Sequence, residues 1–559
     1  MKAVFALIAG CVGLAAQALD SSAGELRPLL QRYSADLQSL ERTYAIPYSE
    51  GRRTRLERFY AEQQAELGKL DFDRLSHDGR IDYILFRNLL DHERKQLGIE
   101  RARNSAVNAL IPFAPAIVSL EEKRKRMEPL DARAAASGVA DLIRSLADAR
   151  KRAETDRPKA TLALRAAARL AELRETFKQW YDFYNGFDPQ FTWWMADPYK
   201  RAGDAIDEYV KFLREKLGGA ADKESITGDP AGRESLLNDL AYQMIPYAPE
   251  ELIEIARKEL AWGEQEMNRA SREMGHGDDW KKALEKVKND YVEPGKQPEL
   301  VRRLAQEAID YVTQRDLVTV PALAKEDWWE EMLSPERQLV APFFLGGDLI
   351  LVAYPSNTMT QEQKLMSLRG NNVHFARSTV FHELIPGHHL QGFMAGRFRT
   401  YRAPFATPFW TEGNAFYWEM LLWDQGFAKT PEDRIGMLFW RMHRAARIIF
   451  SLSFHLERMT AAECVDFLVD RVGFERDNAA AEVRRSFDGS YPPIYQSAYM
   501  LGALQFYALH KELVDSGKMT NRAFHDAILQ QNSIPVELIR AGLTNQPLTL
   551  DFKSAWRFR

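Results

Sequence analysis

The chain of 559 residues carries 75 lysines and arginines against 79 acids, a formal charge of -4, so it lacks the positive excess expected for binding nucleic acid or an anionic membrane. Its two cysteines exclude a disulfide-stapled fold. The 45% hydrophobic and 28% charged residues are typical of a large globular protein, and they say nothing about its chemistry.

Residues 1–18 have the features of a cleaved export signal. A single lysine precedes an apolar run, and Ala16-Gln17-Ala18 supplies a small-x-small cleavage site, so the mature chain is expected to begin near Leu19. The run is too short for a comfortable membrane span. In an alternative interpretation, Ile8-Ala9-Gly10-Cys11 resembles a bacterial lipobox, which would leave Cys11 lipidated. We expect an exported protein, periplasmic or secreted, with no transmembrane segment.

Helical periodicity dominates the rest of the chain, with apolar positions three to four residues apart among many charges. It predicts helices over residues 24–45, 53–70, 76–97, 131–155, 159–184, 200–218, 231–244, 248–274 and 298–315. The turns between these helices are marked by glycine or proline, and none is long enough to be a flexible linker. We therefore expect a mainly α fold.

One segment departs from the helical pattern. Between Gly346-Gly347 and Pro355 lies a short apolar run, which predicts a strand. The edge of such a strand can pair with an extended peptide backbone. From about Arg377 to Leu513 the chain is again mostly helical.

Residues 378–391, STVFHELIPGHHLQ, contain the most informative motif. It is similar to the zinc-peptidase pattern HExxH, in which two histidines on one helix face bind the metal and the glutamate is a general base. Here His382 and His388 are six residues apart, so in a straight helix they would point to different sides. Pro386 removes a helical hydrogen bond and Gly387 allows unusual backbone angles, so a bulge at this point would turn the two histidines together. If these residues only end the helix, the histidines lie on the surface.

A downstream apolar segment carries two acids among aromatic residues. Glu412 is costly to bury unless it is paired or binds a metal, which makes it a candidate third ligand beside one open position. Glu419 lies two turns further on the same face, about 10 Å away, and fits a partner for an imidazole N–H. The alternative for Glu419 is an ordinary exposed acid.

Three blocks give the chain a specific resemblance: HELIPGHHLQ over residues 382–391, EGNAFYWE over 412–419 and PIYQSAYMLG over 493–502. They resemble the bacterial HExxPGHxxQ family described as domain of unknown function 885. That family is similar to gluzincin-type zinc metallopeptidases, with angiotensin-converting enzyme, thimet oligopeptidase and carboxypeptidase Taq as distant relatives. The resemblance implies a large helical gluzincin-like shell with a small sheet beside the active-site helix, and a deep channel that excludes folded proteins.

The chain departs from the family pattern at several positions. Asn414 stands where tryptophan is usual, and Ser451 where aspartate is usual. In the late block Ile494 and Tyr495 replace glycine and glutamine, and Gln496 follows one place later. These departures leave the expected metal-binding residues intact and concern the end of the site that faces substrate.

The resemblance implies one zinc ion held by His382, His388 and Glu412. Glu383 would then take the proton from the attacking water and deliver it to the leaving amine. His389 is the rival for the second imidazole, since on a straight helix it shares a face with His382 but lies about 10.5 Å further along the axis. We favour His388 because the family motif matches there.

Other candidate residues lie in the late helices. An oxyanion needs a hydrogen-bond donor, for which Tyr499 is the first choice, Tyr495 the second and His455 a third, with core packing as the alternative for each. Arg447 matches a family arginine and is a candidate for binding a substrate carboxylate, with a structural ion pair as the alternative. Gln496 is a further candidate for substrate binding.

The function expected from these observations is an exported zinc metallopeptidase that hydrolyses short peptides. An N-terminal helical region, residues 19–330, would continue without a break into a zinc-binding catalytic region, residues 331–559. Two other functions stay open: a non-catalytic metal- or peptide-binding protein, and a zinc hydrolase of another amide or ester. Glu383 argues against the first of these, because a purely structural zinc site needs no base. Endopeptidase and exopeptidase action are not separated by the sequence.

Overall fold

The computed structural model describes residues 24–220, 225–338, 343–344, 346–347 and 349–559. The expected export signal, with Cys11 and the cleavage site after Ala18, lies outside the described residues. Within the described ranges, no helix is both long and apolar enough to cross a membrane.

Helices make up most of the described chain, which confirms the expected mainly α fold. In chain order they are α1 (Arg27–Thr43), α2 (Glu50–Leu67), α3 (His77–Val107), α4 (Ala114–Lys125), α5 (Ala132–Asp156), α6 (Ala160–Tyr184), α7 (Pro189–Phe212), α8 (Arg233–Tyr242), α9 (Pro249–Glu273), α10 (Trp280–Lys288), α11 (Gln297–Gln314), α12 (Ala322–Glu326), α13 (Pro335–Gln338), α14 (Gln361–Gly370), α15 (Val373–Glu383), α16 (His388–Ala395), α17 (Pro408–Asp424), α18 (Pro431–His455), α19 (Ala461–Val472), α20 (Arg476–Phe487), α21 (Tyr495–His510), α22 (Asn521–Leu529) and α23 (Val536–Thr544). Short 3₁₀ segments lie at Phe72–Arg74 and Thr400–Phe405, and π-helical turns follow α7 and α21 at Leu213–Leu217 and Lys511–Asp515.

Helix α7 shows how local chemistry moves a boundary. The sequence pattern predicts a helix over residues 200–218, but α7 begins at Pro189. The Asp188 side chain accepts hydrogen bonds from the backbone N–H groups of Gln190 and Phe191. Proline at the first helical position has a suitable fixed φ angle, so this cap starts the helix earlier than apolar periodicity alone indicates.

The chain folds into two compact units. The larger contains the described part of residues 1–30 together with 71–89 and 231–559, and the smaller contains 31–70 and 90–230. Residue 330, where the N-terminal and catalytic regions were expected to continue into each other, lies inside the larger unit.

The smaller unit has an apolar core built by its long helices. On α6, Leu170, Phe177 and Trp180 recur at helical spacing and are fully buried. Trp180 stacks on Phe177 with ring centroids 5.7 Å apart and meets the edge of Phe191, from α7, at 5.2 Å. The candidate catalytic and metal-binding residues all lie in the larger unit.

A two-stranded parallel sheet lies beside the motif helix in the larger unit. Strand β1 (Glu330–Met332) pairs with β2 (Ile350–Val352). Strand β2 lies within the predicted run and confirms the strand, although it is only 3 residues long. Its Ile350 and Val352 side chains join an apolar cluster with Val380 and Leu384, at the C-terminal end of α15. The sheet therefore packs against the helix that carries His382.

Helices α17 and α21 approach each other closely at a pair of glycines. A Cβ atom added to Gly502 would lie 2.7 Å from the Cα atom of Gly413 and 2.9 Å from the backbone carbon of Phe409. A Cβ atom added to Gly413 would lie 2.5 Å from the Cα atom of Gly502. Because the obstacles are backbone atoms, no rotamer change can relieve such a contact.

We expect Gly502→Ala to lower the free energy of unfolding by about 1–3 kcal/mol, because the added methyl group overpacks a backbone contact. Urea unfolding measures the loss. The matched control is Gly138→Ala in α5, where an added Cβ meets no atom within 4 Å. This control should be neutral or stabilising by up to about 1 kcal/mol, since alanine is the better helix former. Equal losses in the two variants would contradict the close approach.

The start of α15 is tied to its neighbours by a buried histidine. His374 Nδ1 donates to Asp433 at 2.8 Å, and its Nε2 donates to Asp290 at 2.9 Å. Arg377 Nε lies 3.2 Å from the same Asp433 carboxylate. Burial opposes protonation of His374, but the two carboxylates outweigh it and raise its pKa.

The stabilisation from His374 should be lost in alkali. Because its pKa is raised, its ion pairs contribute fully below the unfolded value of about 6.5 and fade as pH rises through the folded value. His374→Gln should therefore lower the free energy of unfolding more at about pH 6 than at about pH 9. Urea unfolding of both proteins at each pH measures the difference, and a cost that does not change with pH would contradict the assignment. The pKa of Asp433 is lowered because His374 and Arg377 outweigh its burial. Its contribution to stability is therefore lost only in acid, as pH falls through that lowered pKa.

Candidate metal centre

The HELIPGHH segment forms two successive helices instead of the single bulged helix expected. Helix α15 ends at Glu383, and α16 begins at His388. Between them, the Gly387 N–H donates to the Phe381 carbonyl at 3.0 Å. A Cβ atom on Gly387 would lie 2.6 Å from that carbonyl oxygen and closer still to the carbonyl of His382. Glycine is therefore required where the chain turns back.

The break brings the two histidines together inside the protein. The rings of His382 and His388 have centroids 4.9 Å apart. Glu412, from α17, faces both: its Oε2 lies 3.6 Å from His382 Nε2 and 3.3 Å from His388 Nε2. In a tetrahedral zinc site with bonds of about 2.0–2.2 Å, neighbouring ligand atoms are about 3.3–3.6 Å apart. Both Glu412 distances therefore match those between neighbouring ligands of one zinc ion.

Glu383 lies at the same centre but further away. Its Oε2 is 4.0 Å from His388 Nε2, and the donor atoms of His382, Glu383 and His388 all lie within 4.8 Å of one another. Since Glu412 is nearer, it is the better ligand, and Glu383 is left free to act as a base. Burial raises the pKa of Glu383, although the two histidines oppose this. Such a shift suits a base that must hold a proton near neutral pH.

The same two histidines set the charge of Glu412. Burial alone would raise its pKa, but the charges and hydrogen bonds of His388 and His382 outweigh burial and hold the pKa of Glu412 well below its usual range. Burial likewise opposes a charge on His388, but Glu412 overcomes it and raises the pKa of His388 to about 9. Glu412 is thus an anion, as a metal ligand must be.

Each imidazole is oriented by a partner on its other nitrogen. His382 Nδ1 donates to Glu419 Oε1 at 2.8 Å, the arrangement expected for that glutamate. His388 Nδ1 donates to Gln391 Oε1 at 3.2 Å, and Gln391 in turn donates to Asn414 Oδ1 at 3.1 Å. Both Nε2 atoms are thereby turned toward Glu412, on the side where an unprotonated Nε2 binds a metal.

The roles of Gln391 and Asn414 were missed by the sequence reasoning. Gln391 follows His388 by three residues, so its helical spacing was a usable signal. Asn414 was noted only as a departure from the family pattern, and only the fold brings α16 and α17 together. A third missed residue is Gly346, where an added Cβ would lie 2.7 Å from the Glu383 carbonyl oxygen and 2.9 Å from its Cα.

The two tyrosines of α21 lie at the centre in different roles. The Tyr495 hydroxyl donates to Glu412 Oε1 and so holds the candidate ligand. The ring of Tyr499 lies nearly parallel to that of His382, with centroids 6.2 Å apart. Burial raises the pKa of Tyr499, so its phenol keeps a proton to donate. Of the two, Tyr499 remains the better candidate for an oxyanion donor.

Two histidine candidates are hydrogen-bonded to backbone groups. His389 Nε2 donates to the Ala324 carbonyl of α12 at 2.8 Å, whereas His388 faces the glutamate. His455 Nδ1 accepts from the Ala231 N–H at 3.2 Å, at the far end of α18. Each ring is thus held by a backbone group.

The other two candidates lie among charged and aromatic groups behind Tyr499. Arg447 Nε donates to Glu482 at 2.6 Å, the structural ion pair that was one of its two expected roles. Its guanidinium carbon also lies 4.3 Å from the centroid of the Tyr499 ring. Gln496 is 1% exposed and follows Tyr495 on α21.

Comparison with known proteins places the chain in a family. Residues 38–543 match the family model described as "Bacterial protein of unknown function (DUF885)". The chain belongs to this family. No curated protein sequence matches it.

Solved structures share the fold across nearly the whole chain. One, described as "a putative lipoprotein of unknown function" from Shewanella oneidensis, is 20% identical, with a TM-score of 0.68 over 93% of this chain and 100% of its own. Another, described as "the putative lipoprotein" from Colwellia psychrerythraea, is 15% identical, with a TM-score of 0.58 over 93% and 98% of the two chains. At these identities the likeness shows the fold alone.

The ligand assignment predicts distinct effects on bound zinc. His388→Ala should abolish stoichiometric zinc binding because it removes a donor, whereas His389→Ala, whose ring faces Ala324, should retain the metal. Glu419→Gln should weaken zinc binding by about 10–100-fold, since it replaces the charged acceptor of the His382 N–H by a neutral amide. Competition with a chromogenic chelator, followed by elemental analysis, measures all three. Retention by His388→Ala with loss by His389→Ala would reverse the assignment.

Proposed function

We propose that this protein is an exported zinc metallopeptidase that hydrolyses short peptides. The observation that carries the proposal is the spacing of His382, His388 and Glu412, which suits three zinc ligands and leaves a fourth position open. A structural zinc site fills all four positions with protein ligands, whereas a catalytic site keeps one open. Glu383, buried at the edge of this site, is the base that a hydrolase needs.

The residues of the chain divide the chemistry among them. A bound zinc ion would polarise the scissile carbonyl and lower the pKa of the attacking water. Glu383 accepts the proton of that water and delivers it to the leaving nitrogen. Tyr499 donates a hydrogen bond to the oxyanion of the tetrahedral intermediate. Glu419 holds His382 in the tautomer that leaves Nε2 unprotonated.

The motif supports a place near the gluzincin-type peptidases. The HExxPGHH block followed by Glu412 supplies the His/His/Glu set and the base of those enzymes in a mainly helical fold. Export is supported by the sequence of residues 1–18 and by the description of two structural relatives as "putative lipoprotein". In the alternative form of this proposal, the exported protein is lipidated at Cys11.

Replacing the base tests the proposal most directly. Glu383→Gln should bind zinc as the wild type does and should lower kcat for peptide hydrolysis by about 10²–10⁴-fold, the usual contribution of a general base. Cleavage of a diverse peptide library, read by mass spectrometry, gives the rate and the cut sites. Glu362→Gln is the matched control, because it removes an exposed carboxylate on α14 and should leave the rate unchanged.

Two results would count against this function. A zinc-loaded wild type that cleaves no peptide of the library would reject the peptidase, and parallel assays with ester and other amide substrates would then test the alternative hydrolase. Full activity in Glu383→Gln would reject the assigned base.

A further inference from the structure

A cluster of three arginines lies behind the candidate metal centre. We call Arg444 and Arg447 of α18, with Arg485 of α20, the arginine cluster. The guanidinium carbons of Arg444 and Arg447 lie 4.6 and 4.3 Å from the centroid of the Tyr499 ring. Because that ring faces His382, the cluster is one aromatic side chain away from the candidate zinc ligands.

The arginine cluster has fewer carboxylates within ion-pair distance than it has guanidinium groups. Glu482 is shared, with Arg447 Nε at 2.6 Å and Arg485 Nε at 3.4 Å. The carboxylate paired with Arg444 is that of Glu419, 3.8 Å away and already hydrogen-bonded to His382. Within the described part of the chain, three guanidinium groups therefore share two carboxylates closer than 4.0 Å, one of them engaged elsewhere. Buried charge left in such excess is costly unless a further anion arrives.

Buried donor atoms are also left over. Arg444 Nε, Arg447 Nη1, Arg485 Nε and Gln496 Nε2 have no hydrogen-bond partner among the described residues. Arg447 and Gln496 are 3% and 1% exposed, so these groups are removed from bulk solvent. Unpaired buried donors carry a desolvation cost that a bound acceptor would relieve.

The cluster is not sealed from solvent. The Arg485 side chain is 11% exposed, and its guanidinium carbon lies 5.1 Å from the centroid of the partly exposed Tyr491 ring. Tyr495, which holds Glu412, is also partly exposed.

We propose that the arginine cluster binds the C-terminal carboxylate of the peptide substrate, so that the enzyme acts as an exopeptidase at the carboxyl end. A carboxylate supplies the missing negative charge, and its two oxygens match the fork of a guanidinium. This inference rests on the proposed peptidase function, and it names the class of substrate: short peptides with a free C-terminus.

Binding is tested without turnover, in the Glu383→Gln protein. The probes are N-acetylated tetrapeptides of mixed sequence, prepared as the free acid and as the C-terminal amide. We expect the acid to bind about 10–100-fold more tightly by titration calorimetry, the usual size of charged hydrogen bonds. The same comparison on protein stripped of metal by a chelator should show the same preference, because the cluster uses no zinc ligand.

Substitutions in the arginine cluster test whether it causes the preference for the free acid. Adding Arg485→Gln should remove most of the difference between acid and amide, and Arg447→Lys, which keeps the charge and loses the fork, should reduce it. Arg441→Gln is the matched control on α18, since Arg441 pairs with Glu259 outside the cluster. Thermal unfolding shows whether each variant is folded. The acid-to-amide ratio of a folded variant separates substrate binding from a merely structural role.

The outcomes separate this inference from the proposed function. Equal binding of acid and amide, with both cleaved by the wild type, would overturn the carboxylate site and leave the peptidase. A preference for the acid without cleavage would keep the carboxylate site and reject the peptidase. A preference that survives both Arg485→Gln and Arg447→Lys would overturn its assignment to the cluster.

Discussion

The structure of the centre depends on one local constraint, the break between α15 and α16. Proline withholds an N–H group from the helix, and Gly387 occupies a place where any side chain would meet backbone carbonyls. These two residues end one helix and start another within four positions. Without the break, His382 and His388 would point to different sides, and no shared ligand would be within reach.

The break positions only two of the candidate metal ligands, His382 and His388. Other helices of the larger unit supply Glu412 and the groups that hold all three. Helix α17 brings Glu412 from the far side, and α21 fixes its second oxygen through Tyr495. The imidazoles are held from behind by Glu419 and by the Gln391–Asn414 pair. Each donor therefore has its own hydrogen-bonded support, which limits the movement that would loosen a metal site.

The sequence predicted features that depend on local pattern. Helical periodicity placed seven of the nine helices that it bounded to within a few residues, and flanking glycines and proline marked the strand. The pairing of Glu419 with an imidazole followed from helical spacing. Other features needed the fold. Spacing of four placed Tyr495 and Tyr499 on one helix face but did not tell which of them would contact Glu412, and Asn414 gained its meaning only when α16 packed on α17.

The glycine contact between α17 and α21 has a consequence for how the centre can change. Glu412 precedes Gly413, and Tyr495 and Tyr499 lie within two turns of Gly502. The backbone contact between the two helices therefore sets the distance between Glu412 and the two tyrosines. Side chains elsewhere in the core can be exchanged or repacked without altering that distance. Substitutions on the exposed ends of these helices would therefore leave the spacing between Glu412 and the two tyrosines unchanged, because a backbone contact fixes it.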